Sequence, residues 1–360
     1  MEQVVENQSA GQAKPRSARS LAPVFVLGSH RSGTKLLYYS LLSAGGFAVF
    51  PEESAVYTVL GRHFGDLAVH GNRRKMLDAY CNSGMFVVTG LDRKEFERRV
   101  LEECRNPGDL LRIQMEMMAR KQGVERWAES TPRHILSLPM IKKEIPNALV
   151  VHIIRDGRDA AASLVRSKRY RPLPFDKSRD YLACAMFWRW LVGKGREYGR
   201  AMGPDYLEVH YEDMVRDPRG TLAQVGKFIE QDLDYDHIQR VGLGSVHRPN
   251  SSFRDSSEAG ASTTGRWKRV FTPEQARNLE WCIGDLLVDT GYKLETPAAE
   301  LKAPLDVRLM NIYYPSYLKS RYWLKWHTPV ARLEDRKGMT VAPASSSKDE
   351  AAQAQSRARS

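Results

Sequence analysis

The stretch that most limits what this chain can become is Val24-Phe-Val-Leu27 followed by Gly28-Ser-His-Arg-Ser-Gly-Thr-Lys35. A continuous apolar run closed by glycine suits a strand buried on both faces of a parallel sheet. Thr34 to Leu42 then reads as a helix, so strand, loop and helix make the first half of a βαβ unit. Backbone N–H groups in a tight turn bounded by Gly28 and Gly33, aimed with a helix N-terminus, form an anion cradle. Arg31 and Lys35 add full positive charge to it, and Ser32 and Thr34 add hydroxyl donors.

Gly28 and Gly33 have the spacing of a Walker A loop, but Thr34-Lys35 reverses the order of its last two residues. In a Walker loop the lysine reaches the β/γ-phosphates and the hydroxyl reaches Mg²⁺, so reversal weakens a kinase or ATPase reading. A second apolar run, Ala148 to Ile154, ends at Arg155-Asp-Gly-Arg-Asp159 and enters an Ala-rich helix. Arg155 and Ser163 stand eight residues apart across this junction, where both can converge on one phosphate, Arg155 as a bidentate donor. Asp156, Arg158 and Asp159 could by themselves be a surface ion-pair cluster, but their order and distance from the first loop make that the minor reading.

Further strands are predicted at Phe47 to Phe50, Glu125 to Ala128 and Tyr206 to Tyr211. Asp217-Pro218 is an N-cap and first helical turn for a helix to about Ile229, and Thr272-Pro-Glu-Gln275 has capping-box spacing. Ala55 to Gln122 is helical in pattern and longer than a crossover needs. The fold class that follows is α/β, three-layered, with a P-loop-NTPase-like central parallel sheet flanked by helices.

The Gly28–Lys35 loop resembles the 5′-phosphosulfate loop of sulfotransferases that use 3′-phosphoadenosine 5′-phosphosulfate (PAPS). The run Arg155 to Ser163 resembles their 3′-phosphate motif, R-D-x-R-D-x-x-x-S, and matches it throughout. Tyr211-Glu-Asp-Met214 and Gly265-Arg-Trp-Lys268 extend the resemblance over roughly 24 to 292. It implies PAPS as co-substrate and PAP as product, no metal, and donor contacts from Arg31, Ser32, Gly33, Thr34, Lys35, Arg155, Ser163, Tyr211, Trp267 and Lys268. Where cytosolic members carry Arg-Lys-Gly upstream of that late segment, this chain has Gly260-Ala261-Ser262, leaving Ser262, Arg254 or Lys268 to grip the 3′-phosphate.

Sulfuryl transfer, like phosphoryl transfer, needs positioning, cations at the charged oxygens and a base for the acceptor hydroxyl. Arg31 and Lys35 are the candidates for charge stabilisation. Pro51-Glu-Glu-Ser54 resembles the Glu-Glu-Thr of tyrosylprotein sulfotransferases, which implies Glu53 as base, although both glutamates could simply start a helix. The rival base is His134, because cytosolic sulfotransferases carry Lys-Thr-His near this point. Ser130 stands where that lysine belongs, so Lys35 must substitute or turnover suffers. The alternatives are a Mg-nucleotide-dependent small-molecule kinase and a non-catalytic module binding PAP or polyanions. The acceptor stays open among glycan, lipid, peptide tyrosine and small molecule, with no nucleic acid expected beyond the donor.

Four cysteines lie far apart without C-x-x-C spacing and read as reduced core residues. A net charge of +12 favours an anionic partner. The first twenty residues lack the apolar segment of a signal peptide, so a cytoplasmic protein is expected. The predicted organisation is a flexible start over 1–20, a sulfotransferase domain over 21–295, an aromatic and basic extension over 296–338, and a disordered tail over 339–360. The extension, rich in Tyr and Trp with Lys319, Arg321 and Lys325, suits sugar stacking, peripheral contact with an anionic membrane or a nucleic-acid surface, or else a helix packing its aromatic face on the domain.

Overall fold

The computed structural model describes residues 17–167, 180–246 and 263–328. Five strands form one parallel sheet: β1 (Val24–Gly28), β2 (Phe47–Ala48), β3 (Arg126–Glu129), β4 (Leu149–Ile154) and β5 (Tyr206–His210), in the order β2-β3-β1-β4-β5. Alternation along the strands divides the interior in two. Val24, Val26, Leu149, Val151 and Ile153 face one core, and Phe25, Leu27, Val150 and Ile154 face the other. Both faces are buried, which is why the strands read as unbroken apolar runs.

The first core is covered by α1 (Thr34–Ser43) and by α5 (Pro218–Ile229). The second lies under α2 (Pro107–Gln122), α3 (Gly157–Ser167), α4 (Asp180–Arg200), α6 (Pro273–Asp289) and α7 (Leu305–His327). These are the three layers expected. The helix starts carry the predicted caps: Asp217 accepts from Gly220 N–H at 2.9 Å, and Thr272 and Gln275 make a full capping box.

Four details refine or correct the expectation. Strand β2 stops at Ala48, because the Gln122 side chain takes both backbone groups of Val49, at 2.7 and 3.1 Å. The start of the chain is ordered sooner than residue 20. Ala18–Leu21 is a helical turn, pinned where Arg19 donates to Asp205 and to the Phe228 carbonyl. Asp156, Arg158 and Asp159 are buried, not a surface cluster. The helical insertion after β2 opens with a π-turn, Val56–Leu60, entered through Ala55 at φ 49°.

All four cysteines are buried and unpaired, and burial pushes each thiol up to about 12. Helix α7 seats Val307, Met310, Tyr314 and Leu318 on the domain, and Tyr322 donates to the Leu136 carbonyl at 3.1 Å. No helix among the described residues is long and apolar enough to cross a membrane. The predicted 339–360 tail, and Arg254 and Ser262, lie outside the described residues.

Candidate active site

The sheet order places β1 between β3 and β4, so three loops meet at its carboxyl edge: Gly28–Lys35, the segment after Glu129, and the segment after Ile154. Ligands of open α/β sheets bind at such a switch point. Gly28 pairs with Ile153 so closely that any Cβ there would strike the Ile153 carbonyl. Gly33 has φ 92°, and a Cβ would run into the Tyr211 ring. Both glycines are therefore required by shape.

The two predicted motifs come together. Arg31 donates from Nε to Ser163 Oγ at 2.9 Å, and Arg155 donates from Nη1 to the Arg31 carbonyl at 3.0 Å. The Arg155 guanidinium lies 4.4 Å over the Tyr211 ring and also donates to the Thr263 carbonyl at 2.7 Å. Three polar side-chain atoms of these two motifs are buried without a hydrogen-bond partner: Ser32 Oγ, Arg155 Nε and Lys35 Nζ, the last 5.4 Å over the Tyr38 ring. An orphaned buried donor costs about 1–3 kcal/mol. A cluster of them, all donors and two cationic, fits an anionic ligand such as a nucleotide phosphate or sulfonate.

The rest of the Arg155–Ser163 motif builds the wall behind that junction. Asp159 accepts from the backbone N–H groups of Gly265 (2.7 Å) and Trp267 (2.9 Å). Arg158 pairs with Asp156 at 2.7 Å and with Glu280, and its guanidinium stacks 4.2 Å over Trp267. Glu280 in turn accepts from the N–H groups of Glu295 and Thr296. Trp267 is thus a buried packing residue held by Arg158. Lys268 does not reach the loop: it points to solvent and pairs with Glu295 at 2.5 Å.

On the other side of β1, Glu129 is a fully buried carboxylate that accepts from Ser54 Oγ (2.8 Å), Thr131 N–H (3.1 Å), Thr131 Oγ1 and His134 Nδ1 (3.1 Å). Burial pushes its pKa up, but His134 and the hydroxyl donors outweigh that and hold it at about 2. The other His134 nitrogen, Nε2, accepts from Tyr57 N–H at 3.2 Å. His134 is buried with both ring nitrogens engaged. As placed, neither nitrogen is open to an acceptor hydroxyl, which favours Glu53 over this rival.

Glu53 is brought to the site by its neighbours. Tyr38 and Tyr39 of α1 donate to the Phe50 and Pro51 carbonyls, at 2.7 and 3.1 Å, and Ser54 is tied to Glu129. The residue is open to solvent at its surface, yet protein crowds the carboxyl enough that desolvation raises its pKa. Lys35 exerts the largest charge effect on it, opposing the rise, followed by Glu129, Arg133 and His134. Arg133 is a cation that sequence reasoning passed over, three residues beyond Ser130. Ser130 Oγ itself is buried without a partner. His30 was also missed: it stacks on Phe187 at 5.8 Å, and burial with Arg133 and Arg31 lowers it to about 4, so the loop carries a neutral imidazole.

Mouse (Mus musculus) carbohydrate sulfotransferase 2 is 24% identical over 290 residues, covering 67% of this chain and 52% of the mouse protein. The chain therefore spans about half the length of that curated relative. The sulfotransferase domain from the curacin biosynthetic pathway superposes with a TM-score of 0.53 at 15% identity, covering 76% of this chain and 98% of the domain, a likeness of fold. A model described as the sulfotransferase family matches residues 23–235, from the start of β1 past β5 and α5 and over more than half of the chain, and by that match the chain belongs to the sulfotransferase family.

Proposed function

We propose that this protein transfers a sulfuryl group from PAPS to an acceptor hydroxyl. The observation that carries the proposal is the orphaned donor set of Ser32 Oγ, Lys35 Nζ and Arg155 Nε in two motifs that meet. PAPS supplies an activated sulfuryl group and leaves as PAP. Arg31, Ser32, Gly33, Thr34 and Lys35 hold its 5′ end through the loop N–H groups, hydroxyls and cations. Arg155 and Ser163, already linked to Arg31, receive the 3′-phosphate beside Tyr211. Trp267 supports this pocket from behind through Arg158.

Glu53 takes the proton from the acceptor hydroxyl. Its carboxyl, raised by desolvation, is a stronger base than an ordinary surface glutamate. Lys35 and Arg133 both act on it, so positive charge stands where Ser130 leaves none. The acceptor class we favour is a carbohydrate hydroxyl, by likeness to the mouse relative's name. The reversed Thr34-Lys35 order argues against a Mg-nucleotide kinase.

The test is transfer from radiolabelled PAPS to a panel of glycan, phenol and alcohol acceptors, with a chelator present. Label should reach a hydroxyl acceptor and PAP should accumulate. Phosphate transfer from Mg-ATP, with no sulfate transfer from PAPS, would replace this reading with the kinase.

A further inference from the structure

Helix α7 uses only one of its faces to hold on to the domain. Val307, Met310, Tyr314 and Leu318 are buried there. The opposite face carries Leu305 (72% exposed), Leu309, Ile312 (70%), Tyr313, Trp323 and Leu324. Half of the exposed large apolar side chains among the described residues lie on this single helix. At 3.6 residues per turn Leu305, Leu309, Ile312, Ser316 and Trp323 share one line, flanked by Tyr313 and Leu324. With a rise of 1.5 Å per residue, the stripe from Leu305 to Leu324 runs about 29 Å.

Charge singles out the occupant. After Asp306 the helix contains Arg308, Lys319, Arg321 and Lys325 and no acidic residue, within a chain of net charge +12. Arg308 and Lys319 are exposed beside the stripe. A second copy laid on this face would bring like charges together along the helix. A flat anionic surface would neutralise them. A long apolar line with a tryptophan near one end and cations along its margin is the pattern of a helix lying in a lipid interface.

We propose that the outward face of α7 docks in the plane of an anionic lipid surface, Leu305, Leu309, Ile312 and Trp323 entering the acyl boundary while Arg308 and Lys319 meet headgroups. The inference stands apart from the sulfuryl-transfer reading, since none of these residues lies at the donor junction.

The experiment is sedimentation of the full chain with phosphatidylcholine vesicles, with and without about one-third phosphatidylserine. The chain should pellet with the anionic vesicles and stay in solution with the neutral ones. The double variant Ile312→Ser/Trp323→Ser should lower partitioning about tenfold or more. Arg308→Gln and Lys319→Gln should each lower it about fivefold, the equivalent of about 1 kcal/mol per charge. The Ile312→Ser/Trp323→Ser and Lys319→Gln variants should keep the parent thermal midpoint, because these side chains are exposed. No binding to anionic vesicles, or variants that bind as well as the parent, would overturn the proposal. So would light scattering that shows a dimer dispersed by Ile312→Ser/Trp323→Ser, which would give the face to a second copy.

Discussion

Two carboxyl-edge clusters flank β1, and they are finished to different degrees. Around Glu129 four donors meet one carboxylate, and His134 is satisfied at both nitrogens. Around the Gly28–Lys35 loop, Ser32 Oγ, Lys35 Nζ and Arg155 Nε are buried with nothing to bond. A satisfied buried network gains rigidity and specifies one arrangement. An unsatisfied one is costly unless a ligand or water completes it. The first cluster therefore holds the Glu53 segment still, and the second is shaped for a ligand.

The contrast is broken most directly at Glu53, which the Glu129 cluster holds beside Lys35. Glu53→Gln should cut sulfate transfer about 10²–10⁴-fold while calorimetry gives PAP an unchanged Kd. Turnover that survives this change would place the base elsewhere. In the parent protein, activity should fall on acidification as Glu53 takes up a proton, at a pH above the ordinary glutamate value of about 4.3. The Gln variant's residual rate should lack that limb.

Arg155→Ala probes the unfinished side. Loss of charge-assisted hydrogen bonds should weaken PAP binding of the folded variant about 10–100-fold, read by calorimetry, and the lost bonds to the Arg31 and Thr263 carbonyls should also lower the thermal midpoint. Unchanged PAP affinity would sever Arg155 from the donor.

Glu129→Gln should act on stability alone. Denaturant unfolding should show a loss of about 1–3 kcal/mol, with PAP affinity held within about twofold. Glu129 is depressed in the folded state, so its contribution is present above the unfolded value of about 4.3 and lost as pH falls toward 2. That part of the acid-stability curve should disappear in the variant. Stability that stays put would mean the cluster anchors nothing.

Much of the donor side could be read in one dimension because its signals are short. The Gly28–Lys35 loop and the Arg155–Ser163 spacing each span fewer than ten residues and bring their own strand and helix. What the sequence hid depends on strand order. Glu129 and Arg133 matter because β3 lies next to β1, a pairing no local pattern reveals. Lys268 is a related case: adjacency to Trp267 does not say which side of the turn a side chain leaves from, and it pairs with Glu295. The burial of Arg158 and Asp159 has no local signal, because their partners, Glu280 and the Gly265–Trp267 backbone, lie more than a hundred residues away.

That last separation sets a timetable for synthesis. Arg158 waits for Glu280 to balance its buried charge, and Glu280 reaches the ribosome exit long after the Gly28–Lys35 loop has been made. At roughly 5–20 residues per second the loop precedes its rear wall by roughly 12–50 s. Until α6 is made Arg158 lacks its Glu280 partner, so the wall behind the Arg31–Arg155 junction is completed long after the two motifs that meet there.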